Sequence, residues 1–217
     1  MRWMAEQSGC DGLLNISNVA LHGTRRHSFT RNLSMSWCTG PSAGKWWLCM
    51  DSAHTGLSCA SLVATLQAVF PQQPPVALVV GVAVDKDVQS MSRVLIELAP
   101  RLVVCVSLHE SLSSRALSPM KVASAFESSL RNSTSVKPRA ETQICVASSM
   151  KNARDIVFEW IQRVHRSAGQ LSPENVAGRK NVVPEEGHLP VVCVTGSNYV
   201  VGSAMQEFQS QTIDTRG

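Results

Sequence analysis

The sequence has few aromatic residues, only 5% of its 217 positions, so its core must be built mainly from aliphatic side chains. It has no run of Lys or Arg, although its formal net charge is +4. Nucleic-acid-binding surfaces concentrate basic residues and place aromatics among them, so this scattered pattern argues against a nucleic-acid partner. No apolar stretch approaches the roughly 20 residues that span a bilayer, so we expect no membrane partner.

None of the seven cysteines forms a C-x-x-C pair, so the sequence predicts no zinc site. Their number is odd, and Cys105 and Cys193 lie within apolar runs, where cysteine behaves as a small hydrophobic residue. These features favour a reducing compartment, and we expect a cytoplasmic protein. Residues 1–45 contain Ser and Arg but few acids, which weakly resembles a transit peptide, so mitochondrial and plastid locations remain alternatives.

From Lys45 onward, short apolar runs alternate with helical patterns, and a hydrophobic content of 44% is enough for a core. The expected strands cover residues 46–50, 75–82, 102–107, 143–147 and 189–194; the expected helices cover 58–70, 87–98, 118–130, 151–165 and 198–208. This alternation predicts an α/β fold, a Rossmann-like, mainly parallel sheet with helices on both faces. We assign residues 45–208 to this domain, 1–44 to an irregular or partly disordered segment and 209–217 to a tail.

Polar segments follow three of the expected strands, at residues 51–55, 85–87 and 195–197. The carboxyl ends of parallel strands meet at one edge of a sheet, where ligands bind, so we expect these segments to converge. A carboxylate at Asp51 can bond ribose hydroxyls or hold a Mg²⁺-bound water, and equally can cap a helix. His54 can contact a base or a phosphate.

The second and third segments also offer groups that bind anions. Lys86 can meet an anion, or it can pair with Asp85 at the surface, and Asp87 lies where a helix N-cap is expected. Gly196 allows close backbone approach at a helix N-terminus, which favours anions. Ser197 adds a hydroxyl there, or serves as an ordinary N-cap.

Residues 40–45, Gly-Pro-Ser-Ala-Gly-Lys, superficially resemble a phosphate-binding loop. That loop needs four residues between its glycines, Ser or Thr after its Lys, and a helix beyond. Here three residues separate the glycines, Trp46 follows, and the next expected element is a strand. The sequence also lacks a G-x-S-x-G nucleophile elbow, and we expect His109 and Cys59 to have no catalytic role.

Three segments, in this order, resemble the C-terminal domain of the folylpolyglutamate synthase/dihydrofolate synthase family, a branch of the Mur ligase superfamily. Residues 51–55, Asp-Ser-Ala-His-Thr, resemble its D-G-A-H-[NT] segment, with Ser52 in place of the usual Gly. Residues 81–87 resemble G-V-x-x-D-K-D, and residues 194–202 resemble V-T-G-S-x-Y-L-V-G. Ser114-Arg115-Ala116 lies where the family often has an R-A or R-S pair before a helix. The resemblance covers about residues 45–208.

The resemblance implies an ATP-dependent ligase that phosphorylates a folate or dihydropteroate carboxylate, after which the amine of glutamate attacks to form an amide. It implies ATP and Mg²⁺ as cofactors. It implies Asp51, His54 and Arg25 as nucleotide-binding residues, Arg25 through a displaced match to the family's Gly-Arg pair. It implies Lys86, Gly196 and Ser197 as substrate-binding residues, and it assigns no residue of this sequence a catalytic or metal-binding role.

The P-loop domain of that family, with its phosphate-binding Lys and Mg²⁺ ligands, has no counterpart in this sequence. Phosphoryl transfer depends chiefly on such groups, so we expect this chain alone to be inactive and a separate P-loop domain to be its partner. The alternative is a non-catalytic α/β module that binds a nucleotide or a folate.

Overall fold

The computed structural model describes residues 13–16, 33–40, 44–107, 115–133, 142–169 and 189–209. Its strands are β1 (Leu13–Ile16), β2 (Leu33–Gly40), β3 (Gly44–Met50), β4 (Val76–Val80), β5 (Leu102–Val106), β6 (Gln143–Ala147) and β7 (Val191–Thr195). Its helices are α1 (Gly56–Val69), α2 (Val88–Leu95), α3 (Pro119–Asn132), α4 (Met150–Gly169) and α5 (Asn198–Gln209), and a 3₁₀ turn (Ile96–Leu98) extends α2.

All seven of these strands form one sheet, in the order β1-β2-β3-β7-β4-β5-β6. The last five strands in that order pair in parallel, which confirms the predicted α/β class and mainly parallel sheet. Every residue of β4, β5 and β7 is buried, because helices cover both faces of the sheet. Their carboxyl ends therefore form one edge from which the loops to the helices emerge.

The two faces of the sheet carry separate apolar layers. On one face, Leu62 of α1, Met91 of α2 and Phe126 of α3 pack in one cluster. On the other face, Ile161 of α4 and Phe208 of α5 pack in a second cluster. These two layers hold the parallel strands in place. None of the helices described is both long enough and apolar enough to cross a membrane.

Strands β1 and β2 extend the sheet beyond β3 as antiparallel neighbours. They lie within residues 1–44, where irregular structure was expected, and for these two stretches that expectation is wrong. The sequence of β2, Leu-Ser-Met-Ser-Trp, alternates apolar and polar residues as a half-buried strand does, but the signal is short. Gly40, the last residue of β2, pairs with Gly44, the first residue of β3, and Lys45 lies within β3. The glycines and the lysine of the segment that superficially resembles a phosphate-binding loop therefore belong to two antiparallel strands.

Candidate functional site

A cleft of about 410 Å³ opens at the carboxyl edge of the parallel sheet. Its walls come from the loops after β3, β4 and β7 and from the segment before α3. The residues that matter for its chemistry are His54, Asp85, Lys86, Arg115, Gly196 and Ser197. The structure thus brings the three polar segments together, and Val84 and Tyr199 give the cleft an apolar component.

Asp51 does not line this cleft. Its side chain is only 5% exposed, and its Oδ1 accepts a hydrogen bond of 2.7 Å from the amide of Ala53. The carbonyl of Ala53 in turn accepts from the hydroxyl of Thr195 at 3.3 Å, which ties the loop after β3 to the end of β7. Asp51 does not cap α1 either, since Thr55 does so in a capping box with Ser58. Its observed role is to shape the loop, and its nucleotide contact stays a prediction.

His54 is exposed in the cleft, and its ring has a defined orientation. Its Nδ1 lies 2.8 Å from the carbonyl oxygen of Ser52. A carbonyl can only accept, so Nδ1 carries the proton and Nε2 is the nitrogen available to a ligand. In its neutral form, His54 therefore presents an acceptor to the cleft, and in its charged form a donor.

Lys86 and Asp85 both line the cleft and form an ion pair. Lys86 Nζ donates to Asp85 Oδ2 at 2.8 Å, and this hydrogen bond holds the pKa of Asp85 below its ordinary value. Asp87 points to its own helix, where its Oδ1 accepts from the amide of Ser90 at 3.0 Å, as an N-cap of α2. Of the three residues in this segment, Asp85 and Lys86 line the cleft.

Gly196 is required where β7 meets β4. Its φ of +109° lies in the region that favours glycine. A Cβ added there would lie 2.5 Å from the carbonyl oxygen of Gly81, and a Cβ on Gly81 would lie 2.8 Å from the carbonyl oxygen of Val106. The next residue, Ser197, is 7% exposed, and its hydroxyl accepts from the amide of Tyr199 at 3.1 Å at the start of α5. Ser197 therefore acts as an N-cap while also lining the cleft.

Arg115 is the site residue that the sequence alone did not single out. Its carbonyl accepts from the amide of Val84 at 2.8 Å, and Ala116 forms an antiparallel bridge with Ala83. Arg115 is one of the residues that line the cleft. The sequence feature that could have identified Arg115 is the Arg115–Ala116 pair before α3, which is part of the family resemblance. Arg25 and His109 lie outside the described residues.

The described residues do not supply a metal site. They contain no group of three or more His, Cys, Asp or Glu side chains that could hold an ion. Among the described residues that line the cleft, only Asp85 has a carboxylate, and it is bonded to Lys86. The described residues of the cleft therefore do not fit a protein-bound Mg²⁺.

No protein-family model matches the chain, and no curated protein sequence matches it. Solved structures of folylpolyglutamate synthases do match. One from Mycobacterium tuberculosis, complexed with ADP and AMPPCP, is 20% identical with a TM-score of 0.53, over 75% of this chain and 29% of that one. Another from the same organism, complexed with ADP, is 23% identical with a TM-score of 0.52, over 75% of this chain and 30% of that one.

A folylpolyglutamate synthase from Thermotoga maritima is 15% identical with a TM-score of 0.50, over 81% of this chain and 30% of that one. At these identities the likeness shows the fold. It confirms the fold expected from the resemblance of the three segments. The chain spans less than a third of the length of these three structures, at 29% to 30% of each.

Proposed function

We propose that this chain is the C-terminal domain of an ATP-dependent folate:glutamate ligase, a folylpolyglutamate synthase/dihydrofolate synthase. The observation that carries the proposal is the convergence of the three resembling segments on one cleft, in a fold shared with such enzymes. Ligands of open parallel sheets bind at this edge. The substrates would be ATP, a folate or dihydropteroate, and glutamate.

The cleft residues have distinct tasks in this proposal. His54 presents Nε2 to the nucleotide, since its Nδ1 is held by Ser52. Gly196 lets the start of α5 approach the ligand, where the amides of a helix N-terminus favour negative charge. Lys86 and Arg115 supply positive charge. When bound, ATP would supply the phosphoryl group that activates the carboxylate.

We propose further that a P-loop domain must complete the site. The described cleft has no metal-binding cluster, and the 217 residues contain no phosphate-binding loop sequence. Positioning of the phosphates by that loop and its Mg²⁺ accounts for most of such catalysis. The purified chain should therefore form no glutamylated product from MgATP, glutamate and dihydropteroate or tetrahydrofolate, as checked by mass spectrometry. Product formation by the chain alone would contradict this.

Calorimetric titration with MgATP tests the nucleotide-binding half of the proposal. We expect weak binding by the wild-type chain that His54→Ala largely removes. His165→Ala is the matched control, because His165 bonds the carbonyl of Lys45 at the opposite end of β3. An absence of binding at millimolar MgATP, or an equal loss in both variants, would contradict the proposal. Asp51→Asn tests the predicted contact of Asp51 in the same way.

A further inference from the structure

A second cavity, which we call the amino-edge cavity, lies at the opposite edge of the sheet from the cleft. Its lining includes Val76 and Val191, the first residues of the parallel strands β4 and β7. The described linings of the two cavities share no residue. The amino-edge cavity has a volume of about 50 Å³. Since about 10–15 Å³ is enough for one water molecule, it has room for roughly four non-hydrogen atoms.

The inner part of the amino-edge cavity is apolar. Leu66, Val76 and Val191 line it and are buried. Phe70 and Leu98 also line it, and both pack against the apolar layer on the α1 face of the sheet. Because removal of apolar surface from water is favourable, such walls bind an alkyl group in preference to a polar one.

Two hydrogen-bonded turns form the cavity before any ligand binds. The amide of Gln73 donates to the carbonyl of Phe70 at 3.0 Å, and the amide of Ala99 donates to the carbonyl of Ile96 at 2.8 Å. Gln73 and Ala99 have φ values of 51° and 47°, and in the described parts of the chain they are the two non-glycine residues with a positive φ. Both line the cavity. Walls fixed in this way need no reordering on binding, which lowers its entropic cost.

A carboxylate lies on the solvent side of the cavity. Glu97 lines the cavity and is exposed. Within the described parts of the chain it forms no ion pair, either with Arg93 or with Arg101, the arginines nearest to it in sequence. The exposed carboxamides of Gln67 and Gln73 also belong to the lining and provide acceptor oxygens. A group with several N–H donors and a positive charge matches these acceptors.

We propose that the amino-edge cavity binds a small primary amine. An alkyl chain of about four carbons fills the apolar part of the cavity, and the ammonium group pairs with Glu97 on the solvent side. This inference goes beyond the proposed ligase function, because the site lies at the other edge of the sheet and would stand if that function were wrong.

Titration of the ¹⁵N-labelled chain with ethylamine, n-butylamine and n-hexylamine at neutral pH, followed by NMR, tests the fit of the alkyl chain. Saturable shifts are expected at Gln73, Ala99 and Val191, and at the indole of Trp47, whose ring centroid lies 6.0 Å from that of Phe70. The affinity should rise about 10- to 20-fold from ethylamine to n-butylamine, the gain from burying two methylene groups. It should not rise further for n-hexylamine, because the cavity is then full.

Substitution of Glu97 tests the charge. Glu97→Gln should weaken n-butylamine binding about two- to fivefold, the effect of losing an exposed ion pair, and should leave n-butanol binding unchanged. Glu159→Gln is the matched control, because it changes the net charge equally at an exposed residue of α4 that does not line the cavity. It should leave both affinities unchanged. Thermal melts of the two variants establish that the fold is retained.

A free amine and the N-terminus of a polypeptide share this chemistry. Isopentylamine and a tripeptide that begins with leucine present the same ammonium group and branched alkyl chain. Tighter binding of isopentylamine is the expected result, whereas tighter binding of the tripeptide would assign the cavity to a polypeptide and overturn the small-molecule proposal.

Three other results would also overturn it. The first is an absence of saturable shifts at the cavity with n-butylamine. The second is an affinity that continues to rise from n-butylamine to n-hexylamine, as in non-specific apolar binding. The third is an equal loss of n-butylamine binding in Glu97→Gln and Glu159→Gln. The ligase proposal is tested separately, since MgATP binding that depends on His54 concerns the cleft alone.

Discussion

Replacement of Gly196 by alanine should damage both the fold and the cleft. The backbone φ there is +109°, and the new Cβ would meet the Gly81 carbonyl oxygen at 2.5 Å and its carbonyl carbon at 3.2 Å. These neighbours are backbone atoms of a buried strand end, so they cannot rotate away as a flexible side chain would. The start of α5 would have to move, and Ser197 and the wall of the cleft would move with it.

The cost can be worked out from two contributions. A non-glycine residue with positive φ costs about 1–2 kcal/mol, and overpacking of a tight site costs about 1–3 kcal/mol, so the free energy of unfolding should fall by roughly 2–5 kcal/mol. With a urea dependence of about 2 kcal/mol per M, the unfolding midpoint should fall by roughly 1–2.5 M. Circular dichroism during urea titration measures this shift.

Gly202→Ala provides the matched control in the same helix. A Cβ on Gly202 meets nothing within 4 Å, and the residue is exposed in α5. Alanine should therefore stabilise the helix by about 0.5–1 kcal/mol and raise the midpoint slightly. A Gly196→Ala protein that unfolds at the wild-type urea concentration would refute the assignment of a close backbone approach at this position.

Three further changes have defined expected outcomes. Asp87→Ala removes the cap that bonds the Ser90 amide and should cost about 1 kcal/mol in a urea titration, whereas an unchanged midpoint would contradict capping. Arg154→Ala breaks the ion pairs with Glu207 at 3.0 Å and Asp155 at 2.9 Å and should lower the free energy of unfolding by roughly 1–3 kcal/mol. A double-mutant cycle with Glu207→Ala should show that the two residues are coupled. Strictly additive effects of the two substitutions would contradict this. Burial raises the pKa of the Cys105 thiol from its ordinary 9.0 to about 12. The unfolded chain therefore loses this proton at a lower pH than the folded protein, and the free energy of unfolding should fall as pH rises from 9 towards 12. Cys105→Val should flatten that slope, measured as urea midpoints at neutral pH and at about pH 10.5; an unchanged slope would show that Cys105 does not cause it.

The central strands were predictable because they are buried on both faces. Two central strands are continuous apolar runs without the 3.6-residue spacing that indicates a helix: Val-Ala-Leu-Val-Val in β4 and Val-Val-Cys-Val-Thr in β7. Element boundaries were less predictable. The expected helix over 87–98 becomes 3₁₀ at Ile96 and ends where Ala99 adopts a φ of +47°, a local conformation that alanine does not signal.

The place of the site was predictable, whereas its chemistry was only partly so. Convergence of the loops after β3, β4 and β7 follows from parallel strands sharing an edge. Arg115 reaches this edge through pairing of residues 115–117 with residues 82–84, a contact between distant parts of the chain that no local pattern encodes. For the same reason, the sequence could not show that Asp51 turns inward to the amide of Ala53.

The most direct test of a nucleotide-binding half-site is to map MgATP onto the ¹⁵N-labelled chain by NMR. We expect saturable shifts in the cleft at the carboxyl edge of the sheet, centred on His54. The amino-edge cavity, of about 50 Å³, is lined in part by Phe70 at the end of α1 and by Leu98. Shifts centred on that cavity, or no saturable shifts at all, would contradict nucleotide binding at the cleft.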